Sequence, residues 1–144
     1  MRAFEFSLRQ VLAWRRGQLD LEENKLRQLL AQLEAMRLET VRLGLVQSRA
    51  EAAVREAAEV EAGDLWALAA YRKRLIAELE ALSRKRIAGE QQVETQRGRV
   101  VEAQRNCRLL EKLEERRRAE WKLAQDRELE NLAAESFLAS WNRP

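Results

Sequence analysis

From Leu26 onward, positions three and then four residues apart read Leu29, Leu33, Met36, Thr40, Leu43, Gln47, Ala50, Val54 and Ala57. Traced backwards, Leu19, Leu12 and Leu8 join the same line, with Glu22 and Arg15 as polar interruptions. A second line runs Leu65, Leu68, Arg72, Leu75, Leu79, Leu82, Arg86, then Val93, Val100, Ala103, Cys107 and Leu110. A three-four alternation keeps one stripe of a helix turned towards a neighbouring helix, so each line predicts a long helix with a partner. The chain has almost nothing with which to make turns. Its 144 residues include five Gly and one Pro, and that Pro is the last residue. Few turns and two long seams predict an all-α fold, a long antiparallel two-helix coiled-coil hairpin in a single domain over 1–144.

The stretch EVEAGDLWAL separates the two seams. Gly63 can take the left-handed conformation that ends a helix, and Asp64 can accept hydrogen bonds from the first amides of the next. The reading is therefore helix 1 over about 8–62, a turn at about 63–64, and helix 2 over about 65–141; one unbroken helix is the alternative. At the start, Ser7 and Gln10 have the spacing of a capping box, and Phe6 and Val11 that of a hydrophobic staple. Helix 1 would then be roughly 80 Å long.

Counting outward from Gly63 sets Leu43 opposite the region of Ser83 and Leu8 opposite the region of Arg118. Beyond about residue 122 nothing in the chain is left to pair. Yet KLAQDRELENLAAESFLASW carries Leu129, Leu132, Ala133, Phe137, Leu138 and Trp141. As a helix, Ala133, Phe137 and Trp141 would share a side. A C-terminal helical overhang with such a face is poorly stable alone and reads as a binding element.

Just before it, LLEKLEERRRAEW sets three consecutive arginines between leucines and a tryptophan. Successive side chains diverge by about 100° on a helix, so the three cannot form one patch. Arg118 turns to solvent near Glu111, Glu114 and Glu115, whereas Arg117 falls within the apolar arc and must snorkel or find an acceptor. Either this is a solvated, salt-bridged face, or Arg116 and Arg117 reach a protein partner. Interleaved glutamates argue against nucleic acid.

Charge and composition exclude other classes. Residues 1–62 hold ten basic and ten acidic side chains and residues 63–144 hold 17 and 14, too even for a strong polyanion binder. The longest apolar run, LWALAAY at 65–71, is about a third of what crosses a bilayer, so no membrane insertion is expected. The N-terminus lacks a secretory core and the one cysteine excludes an internal disulfide, which together point to the cytoplasm. No histidine is present, Cys107 lies in a seam, and no glycine-rich phosphate loop occurs. No enzyme, metal or cofactor is expected.

FEFSLRQVLAWRR at the start, AGDLWALAAYRKRLIAEL after the turn, and LLEKLEERRRAEW followed by ELENLAAESF together resemble the FliJ family of flagellar export proteins. The likeness runs through nearly the whole chain in order and spacing, with LEKLEERRRAEW its strongest element. It implies an antiparallel coiled coil similar to the central stalk of rotary ATPases, a non-enzymatic part of the flagellar type III export apparatus. Helix ends would enter the export ATPase hexamer, the hairpin would contact the cytoplasmic domain of the export-gate membrane protein, and export chaperones would be further partners. That implies a cytoplasmic protein held at the inner membrane through the apparatus. By position, the ATPase-facing residues would be Phe4, Phe6, Leu8, Leu12, Arg116, Arg117, Trp121, Phe137 and Trp141. The gate-facing residues would be Val41, Leu45, Tyr71 and Leu75; helix 1 departs from the family pattern in having no tyrosine around 38–48, and seam packing explains Leu75 equally well. Two further readings of the same pattern are a generic self-associating coiled coil and a stalk protein of a virulence-type secretion system.

Overall fold

The computed structural model describes residues 2–143; Met1 and Pro144 lie outside them. Two helices, α1 (Arg9–Glu56) and α2 (Ala62–Trp141), pack against each other as a hairpin, with no strand among the described residues. Their contacts fall into two compact units, Met1–Leu21 with Val101–Pro144 (unit 1) and Glu22–Val100 (unit 2).

The chain reverses earlier than the Gly63–Asp64 reading placed it. α1 stops at Glu56, residues 57–61 are non-helical, and Gly63 sits in the first turn of α2 without a positive φ. No left-handed glycine is needed, because an i→i−3 bond from the Ala57 N–H to the Val54 carbonyl (3.4 Å) closes α1. Glu61 then caps α2: its carbonyl accepts from the N–H groups of Asp64 (3.1 Å) and Leu65 (3.3 Å). Asp64 contributes in the reverse sense to the one expected, its carboxylate reaching back to accept from the Glu61 N–H at 3.3 Å. The early stop of α1 has a consequence for the seam. Leu65 and Ala57, expected inside it, are exposed because no helix lies opposite them.

Elsewhere the α1 seam is as its spacing predicts, with every other position from Leu8 to Val54 buried or half-buried. In unit 2, Leu43 shares a cleft wall with Ala81, Leu82 and Lys85, near the Ser83 region given by counting. The α2 seam differs in composition. Arg72 and Arg86 swing outward, to Glu51 at 2.8 Å and Glu90 at 3.8 Å. Gly89 and Gln96 complete the three-four line between them and Val100.

These two residues give unit 2 its register. Gln96 is buried, and its side-chain amide donates to the main-chain carbonyl of Glu22 (2.9 Å) and to the Glu22 carboxylate. A slipped register would separate these groups and leave a buried amide unpaired, at about 1–3 kcal/mol. Gly89 forms a notch for Leu33: a Cβ there would stand 2.8 Å from Leu33 Cδ2. Gly98, by contrast, has open space around its Cα. Gly98→Ala should therefore stabilise by about 1 kcal/mol through helix propensity, measured by urea denaturation. Gly89→Ala should recover clearly less, and should match Gly98→Ala once Leu33 is also made Ala.

At the start of α1 the capping box and staple do not form as expected. The helix begins at Arg9, with the Arg9 N–H on the Phe6 carbonyl (3.1 Å) and the Leu12 N–H on the Leu8 carbonyl (2.9 Å). Ser7 Oγ accepts from Arg117 rather than from its own helix. Phe6 is buried while Val11 is exposed, because Phe6 turns into unit 1 instead of back along α1.

Candidate partner-binding surfaces

In unit 1 the non-helical segment 2–8 lies across α2 at 117–121. The rings of Phe4 and Trp121 meet at 5.9 Å between centroids, inclined at 59°. Arg118 closes over the other aromatic partner, its Cζ 4.9 Å from the Phe4 centroid, while its Nη2 approaches Glu114 at 3.4 Å. Arg118 is thus not simply a solvent-facing residue. Arg117 Nη1 donates to Ser7 Oγ at 3.1 Å, so the arginine on the apolar arc finds its acceptor within its own chain. Arg16 and Glu111 approach at 3.4 Å.

This packing divides the nine ATPase-facing candidates. Phe6 and Leu12 are buried, Phe4, Leu8 and Trp121 are half-buried, and Arg116, Arg117, Phe137 and Trp141 are exposed. The first group is engaged in holding unit 1 together, which sequence position alone could not reveal.

α2 then continues to Trp141, and every described residue from 126 onward is exposed. The rings of Phe137 and Trp141 lie 6.3 Å apart between centroids, inclined at 30°, and the two residues are 64% and 76% exposed. Leu129, Leu132 and Leu138 are exposed as well. Extending the seam past Trp121 at its own spacing reaches Ala124, Glu128, Asn131 and Glu135, which are mostly polar. At 100° per residue the stripe of Leu129, Ala133, Phe137 and Trp141 lies roughly 100–220° round from Glu128, nearly opposite that line. The hairpin seam therefore ends chemically where its partner ends, and the tail offers a different face.

No protein-family model matches the chain, and no curated protein or solved structure matches it.

In unit 2 the gate-facing candidates separate. Leu75 is 3% exposed, inside the seam, so it has no surface to offer a partner. Val41 and Leu45 are exposed on α1, four residues apart and so on one face. Tyr71 is half-buried and lines an open groove at the hairpin end together with Ala50, Ala53 and Ala57 of the α1 side. That groove, and the exposed Trp66, carry no signal in the sequence, where Ala50 and Ala57 read as seam positions and Ala53 does not stand out.

Charge-bearing groups elsewhere have surface roles. Glu34 and Glu39 hold their protons less readily than usual, chiefly through hydrogen bonds from Arg37 (3.0 Å) and Arg42 (2.8 Å) on the adjoining turn. Both pairs lie largely in solvent, which screens them. Burial pushes the Cys107 thiol up, with Glu111 adding to the effect, which keeps it protonated and a poor nucleophile at neutral pH.

Proposed function

We propose that this protein is a non-enzymatic, stalk-like component of the flagellar type III export apparatus that docks into the export ATPase hexamer through the bare end of α2. The observation that carries the reading is the helical stretch 122–141, whose apolar residues have no partner among the described residues. Exposed Phe137 and Trp141 are the natural anchors, since large aromatics dominate protein interfaces. Arg116 and Arg117, exposed on the same helix, would meet carboxylates or carbonyls at the rim of the ring. Phe4, Phe6, Leu8, Leu12 and Trp121 would act indirectly, by fixing the helix from which the tail projects.

A stalk that binds the assembled ring better than free subunits promotes assembly by mass action, and with it ATP hydrolysis. Contact with the cytoplasmic domain of the export-gate protein, through Val41, Leu45 and the exposed edge of Tyr71, would couple the ring to the gate; export chaperones would be further clients. Such a protein works in the cytoplasm and reaches the inner membrane only through its partners. No helix among the described residues is long and apolar enough to cross a membrane, which fits that arrangement.

The test is steady-state ATP hydrolysis by the cognate export ATPase. Intact protein is expected to stimulate it, and protein lacking residues 123–144 is expected not to, while keeping its helical circular dichroism. Equal stimulation by both would remove the tail from the mechanism. Sedimentation of the intact protein addresses the self-association reading: a concentration-dependent dimer that protects the tail would favour that reading instead.

A further inference from the structure

We infer that the turn of unit 2 exchanges between two positions, the observed one at 57–61 and a second about one helical turn further along, at Gly63–Asp64. In this chain the chemistry of a helix break and the break itself are separated. Residues 57–61 read AAEVE, and alanine and glutamate are among the better helix formers, yet the segment is non-helical. Gly63 suits a left-handed helix end, yet it lies inside α2 without a positive φ and with open space around its Cα. Local preference that conflicts with the adopted structure leaves competing states close in free energy.

α2 also overshoots α1. The contact of Glu51 with Arg72 at 2.8 Å places Glu56, the last residue of α1, about opposite Ala67, so the first turn of α2 has no helix beside it. Leu65 is 53% exposed there, and Ala57 and Val60 are exposed in the turn itself. Ala50, Ala53, Ala57, Val60 and Ala67 line an open groove of about 550 Å³, so the hairpin end is loosely packed and has room to rearrange. Continuing α1 through about Glu59 would set Ala57 beside Leu65, lengthen the seam by a turn and let Gly63 leave the helix. The few residues left over are enough to join antiparallel helices.

Opposed terms hold the two positions near balance. The observed turn keeps the Asp64 carboxylate on the Glu61 N–H (3.3 Å) and the Glu61 carbonyl on the N–H groups of Asp64 and Leu65. Glu59 and Glu61 at the end of a longer α1 would meet its negative pole, which Arg55 offsets only in part. On the other side, α1 now closes on a bond of 3.4 Å, long for an N–H···O contact. The second position covers Leu65 and returns alanines to a helix. The place of the turn thus sets how much apolar surface the hairpin end presents. Both positions lie within unit 2, and neither depends on the export reading or on the tail.

The test is NMR relaxation dispersion on the full chain, which reads exchange on the microsecond-to-millisecond scale. Amides of 57–65 are expected to exchange with a minor state on the order of 1–10% populated, and its Cα shifts at 57–59 should be helical. Gly63→Ala should lower that population by roughly tenfold or more, since alanine suits the helix of the observed state and resists the left-handed end of the second. Glu59→Lys should raise it a few-fold, because a cation favours the end of a longer α1. Flat dispersion at 57–65 in the intact protein would overturn the inference. So would equal minor populations in the parent and Gly63→Ala, or coil shifts at 57–59 in the minor state, which mark simple fraying.

Discussion

Phe6→Ala is expected to destabilise unit 1 by about 3–5 kcal/mol, the range for truncating a buried phenylalanine. Phe6 is 5% exposed although it precedes the first helical residue, so its ring is covered by tertiary contacts rather than by its own helix. Its loss would leave a cavity and release the segment that Phe4, Ser7, Arg117 and Arg118 hold against α2. Thermal unfolding followed by Trp121 fluorescence, in a background where the other three tryptophans are Phe, reads this directly. Phe4→Ala should cost less, because Phe4 is half-buried and its ring contacts are at the rim. If Phe6 is instead a docking residue exposed to partners, its truncation would leave stability within about 0.5 kcal/mol of the parent.

Leu75→Ala should have the second large effect, about 2–5 kcal/mol, from the same combination of lost transfer energy and an unfilled void. Leu45→Ala, at a 53% exposed position, should fall within about 0.5 kcal/mol of the parent. The comparison matters for function. Both residues belong to the set expected to face the export gate, and loss of gate binding in each variant would look alike in a pull-down. Urea denaturation separates them: a Leu75 variant loses binding because the seam loosens, whereas a Leu45 variant can lose binding only by losing a surface contact. Comparable stability losses at the two positions would contradict the burial described for unit 2.

The helical seams were legible because a one-sided stripe leaves a periodic trace in the sequence, and α1 follows it from Leu8 to Val54. The α2 line broke in the reading where Gly89 and Gln96 stand, since neither looks like a core residue. One works by lacking a side chain and the other by satisfying Glu22, and both properties exist only once the opposite helix is in place. The turn falls before Gly63 for a related reason. Gly63 and Asp64 have the chemistry of a break, yet residues 57–61 read AAEVE, dominated by good helix formers, and the chain bends there because the two seams must meet. In the candidate surfaces, the bare tail followed from counting alone. The segment at 2–8 did not, since Phe4 and Phe6 carry the same apolar signal whether they cover their own chain or a partner's.

The end of α2 has no companion among the described residues of its own chain. Amide hydrogen exchange on the free protein, at concentrations where sedimentation shows a monomer, measures that directly. Amides of 126–141 should exchange at least a hundredfold faster than those of 93–110, and should slow when the export ATPase is added. Protection of 126–141 in the free monomer equal to that of the seam would contradict it, because such protection requires the tail to be covered from within.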